Sequence, residues 1–314
     1  MKLMRIALAA LAIAARAGAG CATVVSADPE PAPVIHIEDV ASFYKLYDAT
    51  GGHPTADQLQ HYLDTGSDGL HILAKERNVT GPRIAAAIAK YPEFYANARG
   101  CMAALPRVKQ RLTVALATFR GLYPEMVNEP VTIAVGRTKP VGIADASGVM
   151  IGLEGLCAVT WSGSNVEDHF VHTISHEYGH VQQAHAAPDF YNNPNPTVLQ
   201  RSLIEGAAEF TAELISGAPA EVASSAFTER TNGHEKEIET KFVADEDKTD
   251  LSDWLDNSTF EKPGDLGYWV GYRIVKSHYE LAADKRQALR EIYAITDAKA
   301  FLAKSGWYPG IQLK

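Results

Sequence analysis

Residues 164–187 read SNVEDHFVHTISHEYGHVQQAHAA, and the organisation of the chain can be worked out from them. Ser164 followed three residues later by Glu167 is the pattern of a capping box, which marks the start of a helix. Pro188 comes directly after the stretch and cannot continue a helix that precedes it. The sequence therefore predicts one long helix that ends near Ala187.

The middle of this helix carries His176-Glu177-Tyr178-Gly179-His180, which has the pattern H-E-x-x-H. Histidines four residues apart project from one face of a helix, so their ring nitrogens can reach one zinc ion at ~2.0–2.1 Å. Glu177 is then expected to be the general base, taking a proton from a water molecule that the metal activates. The alternative is a pair of ordinary surface histidines.

A catalytic zinc ion needs a third protein ligand and one open position. No histidine follows at the H-x-x-G-x-x-H spacing, because residues 181–185 read VQQAH. The next predicted helix contains LIEGAAE at residues 203–209, where Glu205 and Glu209 share one face. We expect Glu205 to be the third ligand and Glu209 to accept a hydrogen bond from the second ring nitrogen of a ligand histidine. Spacing alone also allows the reverse assignment, or a solvated acidic face that continues to Glu213.

Three segments together resemble a known family: HEYGHVQQ from residue 176, IEGAAEF from residue 204 and GYWVGYRIV from residue 267. This bacterial family is described as predicted zinc-dependent proteases of unknown function, and it is similar to the gluzincin metallopeptidases. The resemblance, in the order of the segments and in their residue character, covers roughly residues 36–305. It implies a mostly helical, gluzincin-like α+β domain with a small sheet packed on the catalytic helix.

The resemblance also implies a ligand set and a reaction. One zinc ion per chain is expected at His176, His180 and Glu205, with base catalysis by Glu177. The Gly-x-Met-Glu-Asn motif of the aminopeptidases in the wider group is missing from this sequence, which favours an endopeptidase.

Residues 267–275 offer groups that could stabilise an oxyanion. A neutral or cationic donor aimed at the developing charge lowers the free energy of the transition state more than that of the ground state. We expect Tyr268 to be this donor. A tyrosine in a stretch rich in Trp and Val can equally be a core residue with a satisfied hydroxyl. The other candidates for oxyanion or substrate contacts are Tyr272, Arg273 and His278.

The body of the chain is predicted to be one domain from residue 36 to residue 308. Residues 36–125 have the apolar spacing of helices, and residues 130–160 contain short β-branched runs that predict a small sheet. One run, residues 148–153, is expected to be an edge strand that pairs with the substrate backbone, or else a plain structural strand. Further helices are predicted within residues 164–305, at 197–216, 219–245, 265–282, 284–295 and 297–304.

The first residues predict export. Lys2 and Arg5 precede an apolar run at residues 6–15, which is too short to span a membrane and has the layout of a secretory signal. We therefore expect a protein of the bacterial periplasm, or one anchored at the outer membrane.

Two cleavage sites fit the export signal. Cleavage after Ala27 makes residues 1–27 an ordinary signal peptide, followed by a Pro-rich linker at residues 28–35. Cleavage before Cys21 makes residues 1–20 a lipoprotein signal, and a lipid on Cys21 would then anchor the protein to a membrane.

Composition excludes one class of partner. The 314 residues are 46% hydrophobic and 21% charged, as in a globular protein. Lys and Arg total 29 against 38 Asp and Glu, and no run of basic residues with interleaved aromatics occurs, so nucleic acid is not an expected partner. Cys101 and Cys157 remain as the only pair in an oxidising compartment, either as a disulfide or as two buried thiols.

These features predict an extracytoplasmic zinc-dependent metallopeptidase, a hydrolase that acts on a peptide or protein substrate with Glu177 as general base. The same mechanism would serve another amide, such as cell-wall peptide. The alternative is a cell-envelope binding or assembly protein that retains a metal site without proteolysis. An intact Glu177 disfavours this alternative, because a purely structural zinc site needs no such carboxylate.

Overall fold

The computed structural model describes residues 32–138, 141–160, 165–218 and 220–313. Ala32–Lys314 forms one compact unit, and its architecture is α+β, mostly helical with one small sheet. The predicted export signal and Cys21 lie outside the described residues. Among the residues that are described, no helix is both long enough and apolar enough to cross a membrane.

The sheet has four short strands in the order β1-β2-β4-β3. They are β1 (Ile35–His36), β2 (Val131–Ala134), β3 (Gly142–Asp145) and β4 (Gly148–Gly152). β1, β2 and β4 run parallel, whereas β3 pairs antiparallel with β4 and forms one edge.

Two expectations about the strands were wrong. The run at residues 148–153 is not an edge, because β4 lies between β2 and β3; the edge next to it is β3, which returns through the turn after Asp145. The linker predicted to reach residue 35 also ends earlier, since Ile35 is buried and pairs with Val131.

Helices precede the sheet and cover it. Three of them begin with a hydroxyl side chain that accepts a hydrogen bond from the third backbone N–H of the helix, at Thr55, Ser67 and Thr80. This part contains α1 (Glu38–Ala49), α2 (Ala56–Asp64), α3 (Asp68–Glu76), α4 (Gly81–Lys90), α5 (Pro92–Cys101) and α6 (Leu105–Leu122).

The second half is helical and contains the predicted site. A disulfide joins Cys101 at the end of α5 to Cys157 in the short helix after β4. The helices are α7 (Leu153–Ala158), α8 (Val166–Ala186), α9 (Pro188–Tyr191), α10 (Val198–Ser216), α11 (Ser225–Thr231), α12 (Glu235–Asp245), α13 (Leu266–Leu281), α14 (Lys285–Tyr293) and α15 (Ala298–Lys304).

Two helix predictions need correction. The N-cap of α8 is Asn165, whose side chain accepts a hydrogen bond from the backbone N–H of Asp168; the predicted cap, Ser164, lies outside the described residues. The single helix predicted for 219–245 is wrong. That segment forms a 3-10 turn, then α11 and α12, and Gly233 with φ +80° interrupts the last two.

α10 packs between α8 and α13, and glycines set how closely these helices approach. A Cβ on Gly179 of α8 would lie 3.1 Å from the Cα of Ala208 in α10. A Cβ on Gly206 would collide with the backbone of Gly271 in α13. Gly206 thus allows close contact between α10 and α13, and Gly179 of the H-E-x-x-H motif allows close contact between α8 and α10.

The Gly206 contact predicts a large difference between two Gly→Ala substitutions. Gly206→Ala should lower the free energy of unfolding by about 1–3 kcal/mol, because backbone atoms cannot yield to the new methyl group. Gly121→Ala is the matched control: it is also helical, has no atom within 4 Å of the added Cβ, and should gain about 0.5–1 kcal/mol. Urea denaturation measures both, and an equal stability of the two variants would contradict the helix contact.

Candidate metal centre

Three side-chain atoms converge between α8 and α10. Nε2 of His176 lies 3.1 Å from Nε2 of His180. Oε2 of Glu205 lies 3.1 Å from Nε2 of His180 and 3.3 Å from Nε2 of His176. All three residues are buried, so the three atoms form a small triangle away from bulk solvent.

The triangle fits a zinc ion. Ligand atoms bound tetrahedrally at ~2.0–2.1 Å from one ion are about 3.3–3.4 Å apart, close to the three distances found. Two imidazoles and one carboxylate are also a donor set that catalytic zinc uses, with the fourth position left open. His176, His180 and Glu205 can therefore hold one metal ion together.

Each histidine is oriented through its other ring nitrogen. Nδ1 of His176 lies 2.9 Å from Oε1 of Glu209, and Nδ1 of His180 lies 2.7 Å from Oε1 of Gln183. The Gln183 amide is itself fixed, because its Nε2 donates to the carbonyl of Ile204. Since both acceptors are oxygens, Nδ1 carries the proton in each ring and the Nε2 lone pairs point into the triangle.

Glu205 is an ionised carboxylate despite its burial. Burial raises its pKa, but the charge of Arg201 and the contacts with His180 and His176 together hold the pKa well below its usual range. Nη2 of Arg201 lies 2.7 Å from Oε1 of Glu205. The second oxygen, Oε2, is therefore the one that faces the histidines.

The field at the triangle favours a cation. Burial alone would lower the pKa of His176, yet the carboxylates of Glu205 and Glu209 beside its two ring nitrogens raise that pKa well above the usual value. The pKa of Glu209 is lowered in spite of burial, by His172 and His176. Carboxylates that stabilise a proton on His176 would also stabilise a divalent ion at its Nε2.

A chain of buried polar groups continues behind Glu209. Nε2 of His172 lies 3.4 Å from Oε2 of Glu209 and accepts a hydrogen bond from the backbone N–H of Glu221. Nδ1 of His169 lies 2.8 Å from Oε1 of Glu221. His172, Glu209 and Glu221 also lie close enough together to hold an ion, and the oxygen of Glu209 that faces His172 is Oε2, because Oε1 is bonded to His176.

Glu177 borders a cavity of about 250 Å³ beside the triangle. Its carboxylate makes no hydrogen bond or ion pair with any residue that the structure describes. A Cβ on Gly142 of β3 would lie only 2.5 Å from Oε1 of Glu177, so glycine leaves room for this carboxylate at the sheet edge. The apolar part of the cavity wall is formed by Leu156, Val159, Val222, Phe227 and Phe260.

Two tyrosines flank the histidines. The ring of Tyr268 stacks on His176 at 5.9 Å between centroids, and Tyr268 lines the same cavity. Burial, reinforced by the charge of Glu205, raises the pKa of Tyr268 well above 10, so its hydroxyl stays protonated and can donate. The ring of Tyr191 lies 5.6 Å from His180, and its hydroxyl donates to the carbonyl of Ala144 in β3.

Three predicted contacts are not brought to the site. The hydroxyl of Tyr272 donates to Glu213, Nε of Arg273 donates to Glu239, and Nε2 of His278 lies 2.9 Å from Glu291. Arg273 and His278 lie on other faces of α13 than Tyr268, because the helix rotates about 100° per residue. Tyr272 shares the face of Tyr268 but lies one turn farther along the helix, where it meets Glu213. None of the three residues lines the cavity that contains Tyr268 and Glu177, so their role as oxyanion or substrate contacts stays a prediction without a contact to support it.

Sequence reasoning missed four residues around the triangle. Gln183 follows His180 by three positions and Arg201 precedes Glu205 by four, and both spacings bring side chains together on a helix. A local search for such partners would have found them. Tyr191 and Gly142 come from α9 and β3, and no local pattern connects them with the histidines.

One family of proteins matches the chain. The family described as "Predicted Zn-dependent protease" matches residues 121–301, more than half of the sequence and the part that contains the triangle, Glu177 and Tyr268. No curated protein and no solved structure matches the chain.

The different positions of Glu205 and Glu209 predict an order of metal affinities. Glu205→Ala removes a triangle atom and should weaken zinc binding more than about 100-fold, whereas Glu209→Ala should weaken it ~10- to 100-fold through the orientation of His176. Glu213→Ala is the control on the same helix, because among the described residues Glu213 bonds to Tyr272 and Lys276 and to none of the triangle. Zinc titration decides: equal losses for the first two variants, or a larger loss for Glu209→Ala, would reverse the assignment.

Proposed function

The chain belongs to the family of predicted Zn-dependent proteases, and we propose that it is itself a zinc-dependent peptidase that cleaves internal peptide bonds outside the cytoplasm. The extracytoplasmic location rests on the export signal that the sequence predicts at residues 1–27, or at 1–20 if it is a lipoprotein signal. A gluzincin-like catalytic domain is part of the proposal, because its histidine helix, glutamate helix and small sheet have the expected order along the chain.

One observation carries the proposal: the Glu177 carboxylate lines the cavity beside the triangle and is not bonded to any residue that the structure describes. A purely structural metal site would close its fourth position with protein and would need no unengaged carboxylate next to it. Here the carboxylate is half-buried, has room because residue 142 is glycine, and has no partner among the described residues. This arrangement suits a carboxylate that acts as a general base, and it therefore favours an enzyme over a protein that only binds.

The chemistry divides between the metal and the protein. Zinc bound by His176, His180 and Glu205 would supply Lewis-acid catalysis at the substrate carbonyl. Glu177 takes a proton from the attacking water and passes it to the leaving amine. The hydroxyl of Tyr268 donates to the oxygen of the carbonyl as negative charge develops on it. Glu209 and Gln183 keep the histidine rings in one tautomer throughout.

The side of β3 that faces away from β4 is the proposed site for the substrate backbone. The N–H of Gly152 donates to the carbonyl of Val141, so in this antiparallel pair the backbone groups of Gly142 and Ala144 point away from β4. Tyr191 already donates to the carbonyl of Ala144. A peptide that adds to this edge would therefore pair first with Gly142, next to Glu177.

Replacement of the base gives the first test. Glu177→Gln should keep about one zinc per chain but lose hydrolysis of a mixed peptide library by ~10²–10⁴-fold, because the amide has the shape of the acid and cannot accept the proton. Glu167→Gln on the same helix should retain full activity. Undiminished turnover by Glu177→Gln would exclude it as the base, and a wild-type protein that binds zinc but cleaves nothing would favour the binding or assembly alternative.

Tyr268→Phe gives the second test. Loss of the donor should lower kcat by ~10²–10³-fold with a smaller change in KM, because the bond forms mainly in the transition state. Tyr272→Phe is the control one turn along α13, where the hydroxyl bonds to Glu213 instead, and it should leave kcat unchanged. An equal effect of the two substitutions would reject Tyr268 as the oxyanion donor.

A further inference from the structure

A second groove of about 560 Å³ lies on the other side of one loop from the catalytic cavity. Thr259 and Phe260 line both spaces, so they form the wall between them. This wall is anchored on two sides. The carbonyl of Phe260 accepts the N–H of Thr160, and the Phe260 ring meets the edge of Phe94 at 5.1 Å.

The groove is cationic. Arg83, Lys90 and Arg137 line it, and Glu261 is the one acid in its lining among the described residues. None of the three cations makes an ion pair with a carboxylate in the part of the chain that the structure describes. Arg83 and Arg137 donate to the backbone carbonyls of Asn78 and Arg77, and Lys90 lies 4.8 Å from the ring centre of Tyr91.

Arg137 still has an unused donor. Its Nε is buried and has no hydrogen-bond partner among the residues that the structure describes, while its Nη2 donates to the carbonyl of Arg77. A buried guanidinium N–H without an acceptor costs free energy that an incoming oxyanion would recover. Carboxylates are the planar partners that guanidinium groups bind best among protein side chains.

The catalytic cavity has the opposite charge. Its described lining contains no Lys or Arg, and it includes four carboxylates: Glu177, Glu209, Glu221 and Asp265. An acidic substrate side chain close to the scissile bond would therefore be repelled, whereas one that reaches past Phe260 would be attracted. The formal net charge of the chain is -9, yet Arg83, Lys90 and Arg137 lie together in the groove next to the catalytic cavity.

We propose that the cationic groove is a distal substrate subsite that binds an acidic side chain of the peptide a few residues away from the bond that is cut. The inference rests on the proposed peptidase function. Arg83 and Lys90 precede the matched residues 121–301, whereas Arg137 and the wall residues Thr259 and Phe260 lie within them.

A glutamate in the substrate peptide should slow or speed cleavage depending on its distance from the cleaved bond. In blocked alanine decapeptides with one central Phe, Glu next to the cleaved bond should lower kcat/KM relative to Gln. Glu about three to five residues away, on one side, should raise kcat/KM about three- to tenfold, mainly through KM. This gain should shrink as salt rises from about 0.05 to 0.5 M, because screening weakens exposed charge pairs.

Charge reversal in the groove tests the assignment. The double variant Arg83→Glu/Lys90→Glu should abolish or invert the distal preference for Glu. Lys45→Glu/Lys109→Glu is the matched control, with the same change in net charge at exposed positions that do not line the groove, and it should keep the preference. The same Glu and Gln peptides should show the same pattern in calorimetric binding to the Glu177→Gln protein, which needs no turnover.

The outcomes separate the two ideas. If Glu and Gln peptides bind and react equally at every position, or if Arg83→Glu/Lys90→Glu keeps the preference, the subsite is rejected while the peptidase stands. If wild type cleaves no peptide, the peptidase fails, and the binding comparison with and without charge reversal still decides whether the groove takes a carboxylate.

Discussion

The burial of two ionised carboxylates in one helix is the constraint on which the rest of the site depends. Glu205 and Glu209 lie one turn apart in α10, both almost without exposed surface, and a buried carboxylate is costly unless positive groups compensate it. Arg201 and the histidines of α8 supply that compensation. The same charge balance creates a place for a divalent ion, because the buried carboxylates of α10 attract positive charge to the ring nitrogens of the α8 histidines.

Close helix packing makes this compensation possible. Gly179 lets α8 approach α10, and Gly206 with Gly271 lets α13 approach from the other side, so the Glu-bearing helix is held between two neighbours. Tyr268 reaches His176 because α13 is that close. The sheet completes the arrangement: β3 is its free edge, and Gly142 on that edge leaves space for Glu177. Packing, charge and access to the base thus depend on small residues at a few contacts.

Features that depend on residues close together in the sequence could be predicted, whereas features that depend on contacts between distant segments could not. Helical spacing is local, so His176 and His180 could be paired from it, and Glu205 and Glu209 could be placed on one face of the next helix. The resemblance that favoured Glu205 is to a family whose model matches residues 121–301, so membership of that family is confirmed. Which strand forms the edge depends on how β3 folds back on β4, and which face of α13 meets α8 depends on packing. Those non-local choices explain the wrong edge strand and the absence of Tyr272, Arg273 and His278 from the lining of the cavity at Glu177. The break in the helix predicted for 219–245 was readable at Gly233 but was missed.

The central claim is that His176, His180 and Glu205 bind one zinc ion whose open side faces Glu177. Anomalous diffraction at the zinc edge from crystals of the mature protein tests it most directly. The account predicts one strong peak per chain, ~2.0–2.2 Å from Nε2 of both histidines and from Oε2 of Glu205. A peak at another group of residues, or no peak in crystals grown from protein that hydrolyses peptides, would contradict it.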